Sequence, residues 1–186
     1  MLYHLLYPFH TQIAVLNVTR YITFRTAAAS LSALGISLVL GPWMVRRLRE
    51  FQIGQVIRQE GPESHRAKAG TPTMGGLLIL TAALVPTLLW ADLTNAYVWI
   101  AVLTTAAFGA IGFADDYLKI VRRDHHGLRP RYKMGWQIAI AAVVGIVLLM
   151  LQGQGAYNTR LIFPFFKRLI PDLGWGYLPF AVFVLV

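Results

Sequence analysis

Residues Ala96 to Lys119 read AYVWIAVLTTAAFGAIGFADDYLK, an uncharged run that ends in two adjacent carboxylates and, one helical turn later, a lysine. At about 1.5 Å per residue, a helix over Ala96 to Ala114 reaches across a hydrocarbon core of roughly 30 Å. If that helix ends near Ala114, the partial negative charge at its C-terminus makes Asp115 and Asp116 electrostatically unfavourable without a nearby cation. The stretch therefore predicts a transmembrane helix that delivers two acids to one membrane face.

The composition of the chain is that of an integral membrane protein. Of its 186 residues, 56% are hydrophobic and only 13% are charged, which predicts an all-α, polytopic transmembrane helix bundle in a lipid bilayer. The absence of cysteine excludes disulfides, thiolate metal sites and cysteine nucleophiles. The net charge of +9 comes from Lys and Arg between the apolar runs, where they set topology and contact lipid, so we expect no nucleic-acid partner.

Uncharged runs predict four complete spans, at about 26–45, 74–91, 96–114 and 134–151. A fifth apolar run begins near Tyr177 and continues to Val186, which is about half of the roughly twenty residues that a span needs. We therefore interpret residues 1–186 as a single integral membrane domain that forms the N-terminal fragment of a longer protein.

Basic residues are concentrated in two connections, 46–73 and 115–133, which hold six Lys and Arg each. The positive-inside rule puts both connections in the cytoplasm and the N-terminus outside. The polar side chains suited to chemistry then share the cytoplasmic face: Lys68, Thr71, Thr73, Asp115, Asp116 and Lys119.

The sequence allows two interpretations of Asp115, Asp116 and Lys119. One is a solvated helix end, with an Asp–Lys pair that contributes about 0.3–0.5 kcal/mol. The other is a magnesium and phosphate site, because Mg²⁺ prefers one or two carboxylates with phosphate oxygens and waters, and a lysine adds a positive charge for phosphate. Carboxylates at membrane depth are costly and tend to mark function, which keeps the second interpretation open beside the first.

A second polar stretch, GPESHRAKAGTPTMGG at 61–76, precedes the second predicted span. Thr71 and Thr73 can cap the helix that follows, and a helix N-terminus favours anions, so a phosphate could bind there beside Lys68. An ordinary loop with a threonine cap explains the same residues taken singly. The common membrane face favours a joint site, because a diphosphate bound to Mg²⁺ would use both stretches.

Together, GPESH, KAGTPTMGG and GFADDYLK resemble the N-terminal half of the phospho-N-acetylmuramoyl-pentapeptide-transferase family, within the polyprenyl-phosphate N-acetylhexosamine-1-phosphate transferase superfamily. The resemblance implies a ten-helix enzyme of the bacterial inner membrane with its site on the cytoplasmic side. It also implies the reaction: phospho-MurNAc-pentapeptide passes from UDP-MurNAc-pentapeptide to undecaprenyl phosphate, with Mg²⁺ as the cofactor. The products are lipid I and UMP, in the first membrane step of peptidoglycan synthesis.

The resemblance also implies roles for individual residues. Asp115 and Asp116 match the family's paired acids, Lys68 matches its active-site lysine, and Thr73 matches the threonine of its GTPTMGG signature. We expect Asp115 to orient the attacking lipid phosphate and to accept its residual proton, and Asp116 to organise Mg²⁺ and the diphosphate. Both acids are expected as Mg²⁺ ligands. Lys68 and Lys119 would bind negatively charged substrate groups.

Part of the family's site is absent from these residues. The family's further metal-binding Asp, its N-x-x-N-x-x-D-G-L-D-G segment and its histidine motif do not occur here, so the Mg²⁺ site would be completed by residues beyond Val186. We therefore expect the 186-residue chain alone to have no transferase activity.

Several alternatives remain open from the sequence. The transfer could proceed directly or through an aspartyl-phosphate intermediate. A sister enzyme that transfers GlcNAc-1-phosphate from UDP-GlcNAc would share the acids and the topology, and a transporter or scaffold would not depend on the acids at all. The sequence does not fix the oligomeric state, for which a homodimer is one expectation.

Overall fold

The computed structural model describes residues 2–11, 13–51, 75–122, 127–153, 155, 158–161 and 170–186. Its helices are α1 (Leu2–Leu6), α2 (Ile22–Phe51), α3 (Gly75–Trp90), α4 (Ala96–Arg122), α5 (Pro130–Gly153) and α6 (Tyr177–Leu185), with short 3-10 turns at Tyr7–Thr11, Ala14–Arg20 and Gly174–Gly176. In these ranges the only extended pairing is an isolated antiparallel bridge between Arg160 and Asp172. The prediction of an all-α fold is confirmed for this part of the chain.

Three of the helices are long and apolar enough to cross a membrane: Ile22–Arg47, Ala96–Val121 and Pro130–Gly153. Their length and composition agree with a membrane-embedded helix bundle. Helix α3 has 16 residues, which at about 1.5 Å per residue gives roughly 24 Å, shorter than a hydrocarbon core of about 30 Å. The prediction of four complete spans is therefore not confirmed.

Helices α2 and α4 extend beyond the predicted spans. Helix α2 runs from Ile22 to Phe51, and α4 continues past Ala114 to Arg122. An apolar run marks only the part of a helix that suits hydrocarbon, whereas the intrahelical hydrogen bonds continue into the polar residues that follow. Asp115 and Asp116 consequently lie about two turns before the helix end, and the macrodipole, which acts within the last turn, does not account for their cost. The expectation that the helix dipole makes these two acids unfavourable is therefore wrong.

The described residues pack as two units, Met1–Leu128 and Arg129–Val186. In the first unit, α3 packs against both α2 and α4. Trp90 of α3 joins α2 through its indole N–H, which donates a hydrogen bond of 3.0 Å to Ser32 Oγ, and through an edge contact with the Phe24 ring. A polar N–H among apolar helices is costly without a partner, so this bond satisfies it while it fixes the end of α3.

Helices α3 and α4 are joined by a tight connection, as the sequence predicts for Asp92 to Asn95. Asp92 accepts hydrogen bonds from the Thr94 N–H and hydroxyl, and Asn95 accepts one from the Tyr97 N–H at the start of α4. These bonds fold the connection back on itself and satisfy N–H groups that the helix start leaves without an intrahelical partner.

Gly109 is a position where α3 packs tightly against α4. A Cβ at Gly109 would collide with Cδ1 of Leu80, whereas a Cβ at Gly112 would meet nothing within 4 Å. The sequence predicts close helix packing at both glycines. The prediction is confirmed at Gly109, whereas none of the described residues packs against Gly112.

In the second unit, α5 packs against α6. A Cβ at Gly145 would lie 2.7 Å from Leu178 Cδ1, and Ala141 and Ala181 are buried beside it. These small residues allow the two helix backbones to approach closely without a polar contact.

A polar cluster organises the connection between α5 and α6. The buried Thr159 hydroxyl donates a hydrogen bond of 2.6 Å to Asp172 Oδ1 and accepts one of 3.0 Å from the Gln152 amide. The Gly174 N–H donates to the same Asp172 oxygen. The Thr159 hydroxyl, and secondly the Gly174 N–H, favour the ionised carboxylate and lower the pKa of Asp172 below its ordinary value of 3.8.

We expect Gly109→Ala to destabilise the protein by about 1–3 kcal/mol, because Leu80 must move away from the new methyl group. Gly112→Ala is the matched control, since it adds the same methyl group to the same helix in open space and should be neutral or slightly stabilising. Reversible unfolding in mixed detergent micelles measures both. In a Leu80→Ala background the Gly109→Ala penalty should shrink; an unchanged penalty would show that the Leu80 contact is not its cause.

We expect Thr159→Val to raise the pKa of Asp172 toward 3.8, because it removes the strongest donor to the carboxylate. A lowered carboxyl pKa stabilises the fold above the unfolded pKa, and that stabilisation is lost as pH falls through the folded pKa. The variant should therefore lose stabilisation above about pH 4. Carboxyl ¹³C NMR of labelled aspartates gives the pKa, with Thr159→Ser expected to keep it low. Asp92, whose own lowered pKa depends first on the Thr94 hydroxyl, should not respond to either variant.

Candidate functional site

Lys119 joins the two adjacent acids of α4 into one cluster. Its Nζ donates a hydrogen bond of 2.8 Å to Asp115 Oδ2 and one of 3.1 Å to Asp116 Oδ1. The acids lie four and three residues before the lysine, the two spacings that bring side chains together on one helix face. One cation therefore serves both carboxylates.

The two acids differ in exposure. The Asp115 side chain is 11% exposed, whereas those of Asp116 and Lys119 are 30% and 34% exposed. A carboxylate as buried as Asp115 needs a counter-charge and hydrogen bonds, while Asp116 is open enough to meet a ligand. The cluster is therefore more than a solvated helix end with an exposed ion pair.

The chain beyond α4 supplies a second donor to Asp115. The Leu128 N–H donates a hydrogen bond of 2.8 Å to Asp115 Oδ1, so each carboxylate oxygen of Asp115 accepts at least one bond. Gly127, just before it, has a left-handed backbone with φ of 50°. The sequence predicts a basic connection at 115–133, and neither Gly127 nor Leu128 was predicted to contact the acids. The signal that could have revealed them is an isolated glycine shortly after a helix, where a left-handed turn is common.

The contact between Leu80 and Gly109 shows which part of α3 lies beside the acids. From that contact, Gly75 lies about 7.5 Å toward the start of α3, and Asp115 lies about 9 Å toward the end of α4. The two helices are antiparallel across their short connection, so both distances run in the same direction. The first turn of α3 is therefore level with Asp115. Gly75 and Gly76, the last residues of the 61–76 stretch, lie in this turn.

The other predicted site residues lie outside the described residues. These are Lys68, Thr71 and Thr73, within the 61–76 stretch of which only Gly75 and Gly76 are described. The pairing predicted between this stretch and the two acids stays a prediction for these side chains.

The cluster suits a metal that takes only part of its ligands from the protein. No group of three or more His, Cys, Asp or Glu comes together among the residues that the structure describes. Mg²⁺ is commonly held by one or two carboxylates with waters and substrate phosphates, and the described hydrogen bonds engage only Oδ1 of Asp116. Asp116 therefore fits as one carboxylate ligand of Mg²⁺ in such a shell.

These features define an all-helical membrane protein with a partly buried carboxylate–lysine cluster near the end of one span. Comparisons with known proteins then give the family. Residues 68–80 match the model described as phospho-N-acetylmuramoyl-pentapeptide-transferase signature 1. Of that match, residues 75–80 form the first turns of α3 and include Leu80, which packs on Gly109.

Relatives named phospho-N-acetylmuramoyl-pentapeptide-transferase match the chain along its length. The chain is 50% identical over 186 residues to the protein of Syntrophus aciditrophicus, covering 100% of this chain and 51% of the relative. It is 57% identical over 182 residues to that of Koribacter versatilis, covering 91% of this chain and 48% of the relative. It is 50% identical over 186 residues to that of Geobacter sp. strain M21, again covering all of this chain and 51% of the relative.

As the sequence motifs predict, the chain matches the N-terminal half of members of the phospho-N-acetylmuramoyl-pentapeptide-transferase family along its whole length. It spans about half the length of the curated relatives it matches.

We expect Lys119→Met to destabilise the fold by about 1–2 kcal/mol, because it leaves the buried Asp115 carboxylate without its cation. The expected loss is smaller than the roughly 3–5 kcal/mol for breaking a fully buried pair, since the lysine is one-third exposed. Arg47→Met is the matched control, because Arg47 pairs with Glu50 three residues on, with both side chains mostly exposed. Unfolding in detergent should show a loss below about 0.5 kcal/mol for the control; equal losses would mean that burial does not strengthen the Lys119 pairs.

Proposed function

We propose that this chain takes part in the transfer of phospho-MurNAc-pentapeptide from UDP-MurNAc-pentapeptide to undecaprenyl phosphate, which gives lipid I and UMP for peptidoglycan synthesis. The observation that carries the proposal is the identity of 50% over all 186 residues to proteins named for this transfer. The acid–lysine cluster of α4 supports it, because phosphoryl transfer depends mainly on positioned charge and on cations that neutralise phosphate.

Asp116 is our proposed ligand for Mg²⁺ and the diphosphate. It is the more exposed of the two acids, and its Oδ2 is not engaged by the described hydrogen bonds. When bound, Mg²⁺ would neutralise negative charge on the diphosphate as UMP departs. Completion of the metal shell by residues beyond Val186 is part of the same proposal.

Asp115 and Lys119 are proposed to hold the attacking lipid phosphate in place. A phosphate monoester has a second pKa near 6, so the nucleophile is mostly dianionic at neutral pH and needs little help from a base. Asp115 already accepts hydrogen bonds at both oxygens, from Lys119 and from the Leu128 N–H. This arrangement favours an orienting role over a proton-accepting one: Asp115 fixes Lys119, and the ammonium group of Lys119 attracts the phosphate.

The same proposal includes the roles of Lys68 and Thr73, the number of spans and the orientation in the membrane. Lys68 would stabilise charge on the diphosphate, and Thr73 would contribute to the anion site at the entrance of α3. The bundle would contain four complete spans and the start of a fifth within these residues, ten in the whole protein, in the bacterial inner membrane. The N-terminus would lie outside and the acids at the cytoplasmic face, as the distribution of Lys and Arg favours. A homodimer stays a prediction.

We expect Asp116→Asn in the full-length protein to lower lipid I formation by about 10²–10³-fold, the usual loss when one charge-stabilising group of a reaction centre is removed. The variant should also need more Mg²⁺ for half-maximal rate. Asp115→Asn serves as the comparison in single-turnover measurements across pH. With an orienting Asp115 its loss should not depend on pH, whereas a general base would become dispensable above about pH 6, where the lipid phosphate has lost its proton.

Four results would contradict the proposal or part of it. Full activity of Asp116→Asn would exclude Asp116 as a ligand of the metal and the diphosphate. A covalent sugar-phosphate adduct on Asp115 would replace direct attack with a two-step route. Turnover of UDP-GlcNAc in place of UDP-MurNAc-pentapeptide would show that the proposed donor substrate is wrong. Lipid I formation by the 186-residue chain alone would show that these residues already hold the whole site.

A further inference from the structure

Gly127 sits in direct contact with the acid–lysine cluster. A Cβ built on it would lie 2.5 Å from Asp115 Oδ1, 2.8 Å from Lys119 Cε and 3.1 Å from the Asp115 carbonyl oxygen. Real Cβ atoms do not approach other atoms at the first two of these distances, so any side chain at position 127 has to displace either the carboxylate or the lysine stem.

The backbone conformation of Gly127 points the next N–H at the carboxylate. Its φ of 50° lies in the left-handed region, which most L-residues avoid. The turn brings the Leu128 N–H to 2.8 Å from Asp115 Oδ1. The close approach and the left-handed turn are separate requirements, and glycine is the residue that meets both.

The hydrogen bond restricts how the Asp115 carboxylate can rotate. With Oδ1 held by the Leu128 N–H, Oδ2 is the oxygen that faces Lys119 at 2.8 Å. The lysine then reaches Asp116 Oδ1 at 3.1 Å. A chain of contacts therefore runs from the Gly127 turn through Asp115 to Lys119 and Asp116.

We propose that Gly127 is a positioning residue of the transferase site: it lets the Leu128 N–H clamp Asp115 and thereby sets the position of Lys119. Gly127 touches no substrate in this role. The inference rests on the proposed function and adds to it a residue that the paired acids need in order to work as a unit. A misplacement of the ammonium group by about 1 Å is enough to lower a rate by up to about 10²-fold.

The test uses the full-length protein and four glycine variants. Gly127→Ala adds a methyl group and strains the left-handed turn, whereas Gly127→Asn tolerates that turn but still places a Cβ against Asp115. Gly155→Ala is the control for strain alone, because Gly155 has φ of 74° and a Cβ there meets nothing within 4 Å. Gly112→Ala controls for an added methyl group near the acids in open space.

We expect both Gly127 variants to lower kcat at least about tenfold, with KM for either substrate changed less than about threefold, because the charges stay present but are misplaced. The two controls should keep wild-type kcat. Wild-type kcat in Gly127→Ala would overturn the inference. Activity retained in Gly127→Asn but lost in Gly127→Ala would also overturn it, since the left-handed turn alone would then be required.

Hydrogen exchange tests the contact from its other end without relying on activity or on the folding of a glycine variant. In Asp115→Ala the Leu128 amide should exchange faster than in the wild type, because it loses its acceptor. Unchanged exchange would exclude the clamp. If the wild-type full-length protein forms no lipid I, the proposed function fails, while this exchange result still decides whether Gly127 and Leu128 hold Asp115.

Discussion

A carboxylate that is as buried as Asp115, whose side chain is 11% exposed, has to be neutralised and hydrogen-bonded by the chain that carries it. The protein meets this requirement within a short stretch: Lys119 comes from the next turn of α4, and the Leu128 N–H comes from the backbone beyond the helix. Both partners depend on α4 continuing past its apolar part, since a helix that ended at Ala114 would not carry Lys119 to the acids. The part of α4 that continues beyond its apolar run is therefore what brings Lys119 to the two acids.

The same requirement explains the polar contacts elsewhere in the first unit. The Trp90 indole N–H donates to Ser32 on α2, and the Tyr97 N–H at the start of α4 donates to Asn95 in the connection before it. Each bond satisfies a polar group that would be costly in an apolar setting, and each fixes an end of α3 or α4. Between these fixed ends, Gly109 lets Leu80 press against α4. Packing and polar satisfaction together hold the two helices in one register.

Apolar runs carry most of what the sequence predicts correctly. The run before Asp115 predicts the helix, and the spacing of Lys119 predicts that it lies within reach of either acid. That one ammonium group bonds both acids at once was not predicted. The helix ends were not predictable from hydropathy, because Arg46 or Tyr117 can stay helical beyond the hydrocarbon as easily as end a helix. An isolated glycine after a helix could have predicted the turn at Gly127, but not its contact with Asp115, which lies twelve residues back. Lys68 and Thr73 lie outside the described residues, so their predicted contribution rests on the motif they form.

The contact of Leu80 with Gly109 also fixes where the acids of α4 lie relative to α3. Asp115 lies six positions after Gly109, and each residue added or removed between them would turn the acids by about 100° and shift them by about 1.5 Å relative to α3. Only changes of about one whole turn would return the carboxylates to the same face. The length of α4 between its packing glycine and its acids is thus fixed by geometry. In this segment, insertions and deletions should be tolerated far less readily than substitutions.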